Sequence, residues 1–205
     1  MPAPKRRTTS AARNPARTRE RILTAALREF AAHGFAGARV DAIAKRAGSN
    51  KRMLYHYFSN KEGLFSAVLR HKIKERLNRG ETHAPKSDLV SSLPFWFKLN
   101  CLDTDWVRLL AWESLQTPTQ AVLDEKERVR IARWATARIG QKQKAGHLRQ
   151  DVSAAHLCLA KVSLAMFPVA LPQVARLITG RSPRDPKFQR AYTKFLETIS
   201  AAFRP

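Results

Sequence analysis

The sequence predicts an all-α protein, and three observations carry that prediction. Apolar residues recur at three- and four-residue spacing in one segment after another. Beyond about residue 80 there is no sustained period-two alternation of the kind a half-buried strand needs. Glycine, proline and asparagine stand where the helical patterns begin or end. At 205 residues the chain has room for one well-buried domain, or for a small module joined to a larger one.

The first 14 residues are dominated by Pro, Ala, Ser, Thr and basic side chains. Such a composition cannot bury apolar area, so residues 1–14 are expected to form a flexible basic arm until an anion orders them. Asn14-Pro15 or Thr18 then starts a first helix, in which Ile22, Leu23, Ala26, Leu27 and Phe30 make the apolar stripe and Gly34 is the stop. After "GFAGAR", a shorter stripe of Val40, Ile43, Ala44 and Ala47 stops at Gly48, with Asp41 in its first turn, where the helix dipole favours a carboxylate. Asn50 is a good N-cap for a third helix, Lys51 to about Tyr57. Asn60 caps a fourth, with Leu64, Phe65, Val68, Leu69, Ile73 and Leu77 as its stripe. Further helices are expected near 87–101, 105–116, 120–144 (closed by Gly146), 153–178 (interrupted by Pro168 and Pro172, closed by Gly180) and 186–203. The prolines make the penultimate helix either bendable or statically kinked. The expected organisation is a compact unit over 15–62, a connecting helix over 63–80 and a second all-helical unit over 81–205.

Composition narrows the function. Thirty-eight Lys and Arg against 16 Asp and Glu leave a net charge of +22, which draws a protein toward polyanions such as nucleic acid. Residues 1–75 hold 17 basic and 5 acidic side chains, so the first third is about twice as positive per residue as the rest. No apolar run approaches the roughly 18 residues of a membrane-spanning helix, and the N-terminus has no apolar core for a secretory signal. A cytoplasmic protein is expected, with no membrane partner. Cys101 and Cys158 have neither CxxC spacing nor a second pair and are expected as buried thiols in a reducing compartment. His33, His71, His83, His147 and His156 show no H-x-x-x-H or HExxH spacing, so no metal site is expected. With no nucleophile, metal or phosphate-loop constellation either, neither catalysis nor a cofactor is expected.

The segment "GSNKRMLYHYFSNKEGLF", Gly48 to Phe65, carries the chemistry. Two short helices joined by a tight glycine turn, the second one capped and polar at its start, form a helix-turn-helix pattern, whose second helix enters the major groove by its N-terminus. Lys51, Arg52 and Met53 fill the first turn of that helix and are the candidate base contacts, arginine pairing bidentately with guanine N7 and O6. Leu54 and Phe58, four apart, read as the face that docks the helix on its neighbours. Tyr55, His56 and Tyr57 can keep their rings against protein while a polar tip meets phosphate, and Lys61 adds charge beside a helix N-terminus that already favours an anion.

"RERILTAALREFAAHGFAGARVDAIAKRAGSNKRMLYHYFSNKEGLFSAVL" resembles the TetR-like family of bacterial helix-turn-helix transcriptional regulators over about residues 18–70. The matches are the Ile-Leu and Ala-Ala of helix one, the Phe and Gly that close it, "IAKRAG", "LYHYF" and "NKEGLF". The resemblance implies an N-terminal three-helix DNA-binding domain followed by a helical ligand-binding and dimerisation domain. It implies phosphate contacts at Tyr55, His56 and Lys61 and base-facing positions at Lys51 to Met53. Three residues depart from the pattern. Arg39 stands where Ser or Thr often caps helix two and is expected to offer a phosphate contact instead; Ser49 replaces a small apolar residue, and Arg52 a frequent glycine. The arm resembles the basic extensions of some members, so Lys5, Arg6, Arg7, Arg13 and Arg17 either follow a minor groove and flanking phosphates or serve as a solvated tail.

In the second unit, Phe188, Tyr192, Phe195, Leu196, Ile199 and Phe203 fall on one stripe. Together with Leu157, Leu164, Phe167 and Leu171 they either close an internal core or pair with a second subunit, and the resemblance implies the four-helix homodimer interface. Phe95, Trp96, Phe97, Trp106, Trp112, Met166 and Phe167 are bulky groups of which some are expected to line an apolar effector pocket, with Glu113, Gln116 or Arg133 as polar contacts. The function expected is a sequence-specific DNA-binding regulator, most often a repressor in this family, that holds a palindromic operator on double-stranded DNA as a dimer and is released by an unknown small molecule. The alternative, motivated by the +22 charge and the basic arm, is a sequence-indifferent, nucleoid-associated architectural protein.

Overall fold

The computed structural model describes residues 14–83, 92–116, 122 and 124–205, with the backbone alone at Gln116. The described residues form ten α-helices and no strand. They divide into two compact units, one ending at Val68 and the other beginning at Leu69.

In the first unit, α1 spans Pro15–Gly37, α2 Val40–Arg46 and α3 Lys51–Phe58, and α4, Lys61–His83, begins there. Asn14 caps α1, its Oδ1 accepting from the N–H groups of Ala16 and Arg17 at 3.0 and 3.3 Å. Gly34 interrupts the helix with φ +69°, a left-handed conformation that a side chain would oppose, so the chain breaks there as the sequence predicts. Ile22, Leu23, Ala26, Phe30, Ile43, Leu54 and Leu64 are almost completely removed from solvent and make the core of this unit. Phe30, Phe35 and Phe65 close it, with ring centroids 4.9 to 6.1 Å apart.

The second unit holds the rest of α4 with α5 (Ser92–Leu102), α6 (Thr104–Gln116), α7 (Glu125–Lys144), α8 (Ala154–Ala170), α9 (Pro172–Thr179) and α10 (Pro186–Ala201). Leu93, Phe97, Ala165, Ala175, Phe188 and Leu196 form its main core; Ile139, Leu148 and Leu157 form a smaller one beside Phe203. Cys101 and Cys158 are free and half-buried rather than fully buried, because each sits at the margin of a core. Burial pushes the Cys101 thiol up to about 11, which leaves it unreactive at neutral pH.

The helix expected over 153–178 departs from its sequence reading at one point. It does not break at Pro168; α8 runs through that residue to Ala170, and the 88° bend comes at Leu171, before Pro172. A proline inside a helix removes the bond to the carbonyl four residues earlier, here that of Leu164. The Tyr192 hydroxyl donates to that same oxygen at 3.0 Å, so the orphaned acceptor is satisfied from α10 and the helix continues. Tyr192→Phe removes that donor while keeping the ring. It is expected to lower the thermal stability of the protein by roughly 1–3 kcal/mol, read as a shift in a denaturant midpoint at unchanged m-value.

A buried polar network ties α4 to its neighbours. Arg76 Nη2 donates to Asn100 Oδ1 at 2.6 Å, and Asn100 Nδ2 donates to the carbonyl of Ala165 at 2.9 Å. Arg76 and Lys72 both pair with Asp103, at 3.4 and 2.7 Å. The Arg76 guanidinium lies between the rings of Trp96 and Trp106, 5.7 and 5.4 Å from their centroids. A Cβ on Gly80 would stand 2.7 Å from the Trp96 ring, so α4 and this indole are in close contact.

Candidate nucleic-acid interface

The surface of α3 follows from its cap and its buried face. Gly48, at φ +58°, turns the chain after α2, and the guanidinium of Arg21 on α1 donates to the Gly48 carbonyl at 3.1 Å. Asn50 then caps α3, its Oδ1 accepting from the Met53 N–H at 2.8 Å. Leu54 and Phe58 are buried, as their spacing predicts, and this fixes the opposite face outward. Lys51, Arg52, Tyr55 and His56 are exposed, while Met53 and Tyr57 are half-buried.

The individual candidates have distinct settings. Lys51 is 3.6 Å from Asp41 of α2, a solvated pair that a phosphate or a base edge can replace at little cost. Arg52 is exposed and makes no ion pair among the described residues. His56 and Tyr57 meet edge to face at 5.5 Å. Lys61 donates to the carbonyl of Ala36 at 3.2 Å and stands 5.0 Å over Phe35, so its ammonium is held near the turn that precedes α2. A Cβ on Gly63 would be 2.2 Å from the Phe58 carbonyl oxygen, so only glycine allows α4 to start this close to the end of α3. Arg39 is exposed at the N-cap of α2, and its side chain makes no capping bond. Of the arm residues, Lys5, Arg6, Arg7 and Arg13 lie outside the described set; Arg17 belongs to the first turn of α1 rather than to an arm. With Arg21, Arg28, Arg46 and Glu20 it lines a groove of about 270 Å³.

One positioning residue has no signal in the sequence. The Glu29 carboxylate is buried, accepts the Arg39 N–H at 3.2 Å and pairs with Arg46 Nη1 at 3.2 Å. It thus satisfies from α1 the backbone N–H of the N-cap residue Arg39, the half of a capping box that a glutamate supplies, and its charge lies beside the positive end of α2. Its partners are 10 and 17 residues away, beyond any local pattern.

The family model for bacterial regulatory proteins of the tetR family matches residues 22–68, and the tetracyclin repressor-like C-terminal domain matches 96–197. The chain belongs to the TetR family. Relatives of the same length class agree. The HTH-type transcriptional repressor SCO4008 of Streptomyces coelicolor is 32% identical over 170 residues, covering 83% of this chain and 88% of that one. The HTH-type transcriptional repressor NicS of Pseudomonas putida is 32% identical over 174 residues, with 79% and 80% covered. Among solved structures, SCO4942 of Streptomyces coelicolor superposes with a TM-score of 0.73 at 27% identity, over 89% of this chain and 97% of that one. This TetR-family chain is a sequence-specific DNA-binding transcriptional regulator with a helical C-terminal domain.

The expected effector residues scatter within that C-terminal domain. Trp106 is buried against Arg76, Trp96 is half-buried, and Phe95 meets Trp96 edge to face at 5.4 Å. Glu113 accepts from Arg128 at 2.6 Å, whereas Arg133 is exposed. Trp112 and Met166 are half-buried, Phe167 is 45% exposed, and the Gln116 side chain lies outside the described set. A concavity of about 670 Å³, formed by Gly146, Leu148, Arg149, Gln150, Asp151, Arg204 and Pro205, includes none of them.

The residues of the expected dimer stripe differ in exposure within their own chain. Leu157, Phe188 and Leu196 are buried in the cores of their own chain, because α5 and α7 pack over them, and they leave no area for a partner. Leu164, Tyr192, Ile199 and Phe203 are half-buried. Phe195, Phe167 and Leu171 of the expected set remain outward, and Leu159 and Val162 on α8 join them as exposed apolar groups that have no place in the expected stripe. Among the described residues, no His, Cys, Asp and Glu side chains converge on a metal site, and no single helix is long and apolar enough to cross a membrane.

Proposed function

We propose that this regulator is a homodimeric repressor that holds a palindromic operator and is released by a small-molecule effector, acting in the bacterial cytoplasm at the nucleoid. The observation that carries the DNA-binding part is α3 itself: a capped helix whose buried Leu54 and Phe58 turn Lys51, Arg52, Tyr55 and His56 to solvent at one end of a basic unit. Lys51, Arg52 and Met53 read bases. Arg39, Tyr55, His56, Tyr57 and Lys61 hold phosphates, and Lys5, Arg6, Arg7 and Arg13 with Arg17 extend the contact along the backbone. The repressor direction is supported by the names of SCO4008 and NicS.

Dimerisation is supported by the exposed apolar groups of α8 and α10, Leu159, Val162, Phe167 and Phe195, which two-fold symmetry covers with the same surface of a second chain. Two recognition helices related by that axis match the two halves of a palindrome.

Binding measurements on the two sets of residues test the division of roles. Lys51→Ala and Arg52→Ala are expected to lose roughly 1–3 kcal/mol on the preferred palindrome alone. Lys61→Ala and His56→Ala weaken binding to every duplex and flatten its salt dependence, since each removes a phosphate contact. Equal losses on specific and unrelated DNA for Arg52→Ala contradict its base-reading role.

A further inference from the structure

Helix α8 is apolar along most of its length, with one lysine, Lys161, in "AAHLCLAKVSLAMFPVA". Its ammonium stands 5.6 Å from the centroid of Trp96 and makes no ion pair or hydrogen bond with any described residue. Its charged neighbours are cations, Arg138 and Lys142 of α7, and the other titratable group acting on it is the Cys158 thiol. A half-buried ammonium among other cations is an expensive arrangement, which an aromatic face offsets only in part. Burial accordingly lowers the Lys161 pKa to about 8. At neutral pH the site still carries positive charge and has no carboxylate of its own to meet it.

We infer that Lys161 and Trp96 form an anion subsite for the effector, and that the effector is a small carboxylate with a planar or apolar body. The carboxylate pairs with the ammonium and the body packs on Trp96 and Phe95, which already meet edge to face. A carboxylate suits the site better than a phosphate, since Arg76, the arginine on the same ring, is already paired with Asp103, and Lys161 meets an aromatic surface as a point charge. The inference rests on the ligand-responsive reading above and adds to it a ligand class and a residue absent from the expected pocket.

The same indole packs on α4. Trp96 presses on Gly80 and stacks on Arg76, both on α4, the helix that begins in the DNA-binding unit. A ligand that draws Lys161 away from Trp96 alters the contacts this indole makes with α4.

The test uses benzoate as the probe and benzamide, its neutral isostere, as the control, on the full chain. Benzoate is expected to raise the melting temperature and to weaken operator binding by about tenfold, with benzamide doing neither. Lys161→Met is expected to abolish the benzoate response and, by removing an unpaired buried charge, to raise the melting temperature of the ligand-free protein. Lys161→Arg keeps a cation and retains part of the response. Equal effects of benzoate and benzamide, no effect of benzoate at millimolar concentration, or an unchanged response in Lys161→Met each overturn the proposal. Operator binding by ligand-free Lys161→Met separates the two readings: if it persists while the benzoate response is absent in the wild type, the effector class fails and the DNA-binding regulator stands.

Discussion

Phe195→Glu is expected to give a folded monomer that sediments at the 23.2 kDa of one chain and loses operator affinity by about 100-fold or more. The phenyl ring is 42% exposed within its own chain and touches Tyr192 at a centroid distance of 5.4 Å, so glutamate at this position can reach water in the isolated protomer. In a dimer closed over α8 and α10, the same carboxylate meets its own symmetry mate in an apolar interface, and neither has a partner. Loss of the dimer then uncouples the two recognition helices, and each half-site is bound alone. Leu159→Glu on α8, where the side chain is 62% exposed, is the companion substitution. A dimer that survives both changes moves the interface to another surface. Phe188→Glu is not a valid substitute, since Phe188 is 4% exposed and its replacement unfolds the protomer core.

The second large effect is on the DNA-binding unit. Glu29→Ala leaves the N–H of Arg39, the N-cap residue of α2, and the Arg46 guanidinium without this acceptor. Hydrogen bonds to charged groups contribute roughly 1.5–3 kcal/mol each, and this unit is small enough for such a loss to matter. Arg46 is 46% exposed and regains water, so the expected destabilisation is close to that of one such bond, about 2–3 kcal/mol. Operator binding falls with it, because α2 and the turn at Gly48 set the position of α3. Glu29→Gln keeps an oxygen for the Arg39 N–H and is expected to restore part of the stability. If Glu29→Ala melts like the wild type, the carboxylate is not the cap of α2.

What was legible in the sequence was what local chemistry decides. Asn50 as cap, Gly48 as stop and the pair Leu54 and Phe58 as buried face are all settled within a few residues, and they fix the outward side of α3. Most helix boundaries follow from the same short-range signals, although the single helix expected over 153–178 is two, α8 and α9. Glu29 was invisible because its worth lies in α2, and Pro168 misled because the donor that rescues Leu164 comes from a helix 28 residues later. The stripe of α10 shows the same limit: periodicity marks Phe188 and Phe195 alike, and only the packing of α5 buries one and leaves the other outside. The lone lysine of α8 was readable as an anomaly, but its meaning depends on Trp96 and α7.

The central claim is that two α3 helices of a dimer read a defined sequence. Selection of bound duplexes from a random DNA pool, with purified full-length protein at near-physiological salt, tests it most directly. The expected result is a single palindrome whose half-site centres lie a whole number of helical turns apart, about 10–10.5 base pairs per turn. A pool that stays random, with affinity set by salt alone, contradicts sequence-specific recognition and identifies the +22 charge as the only source of binding.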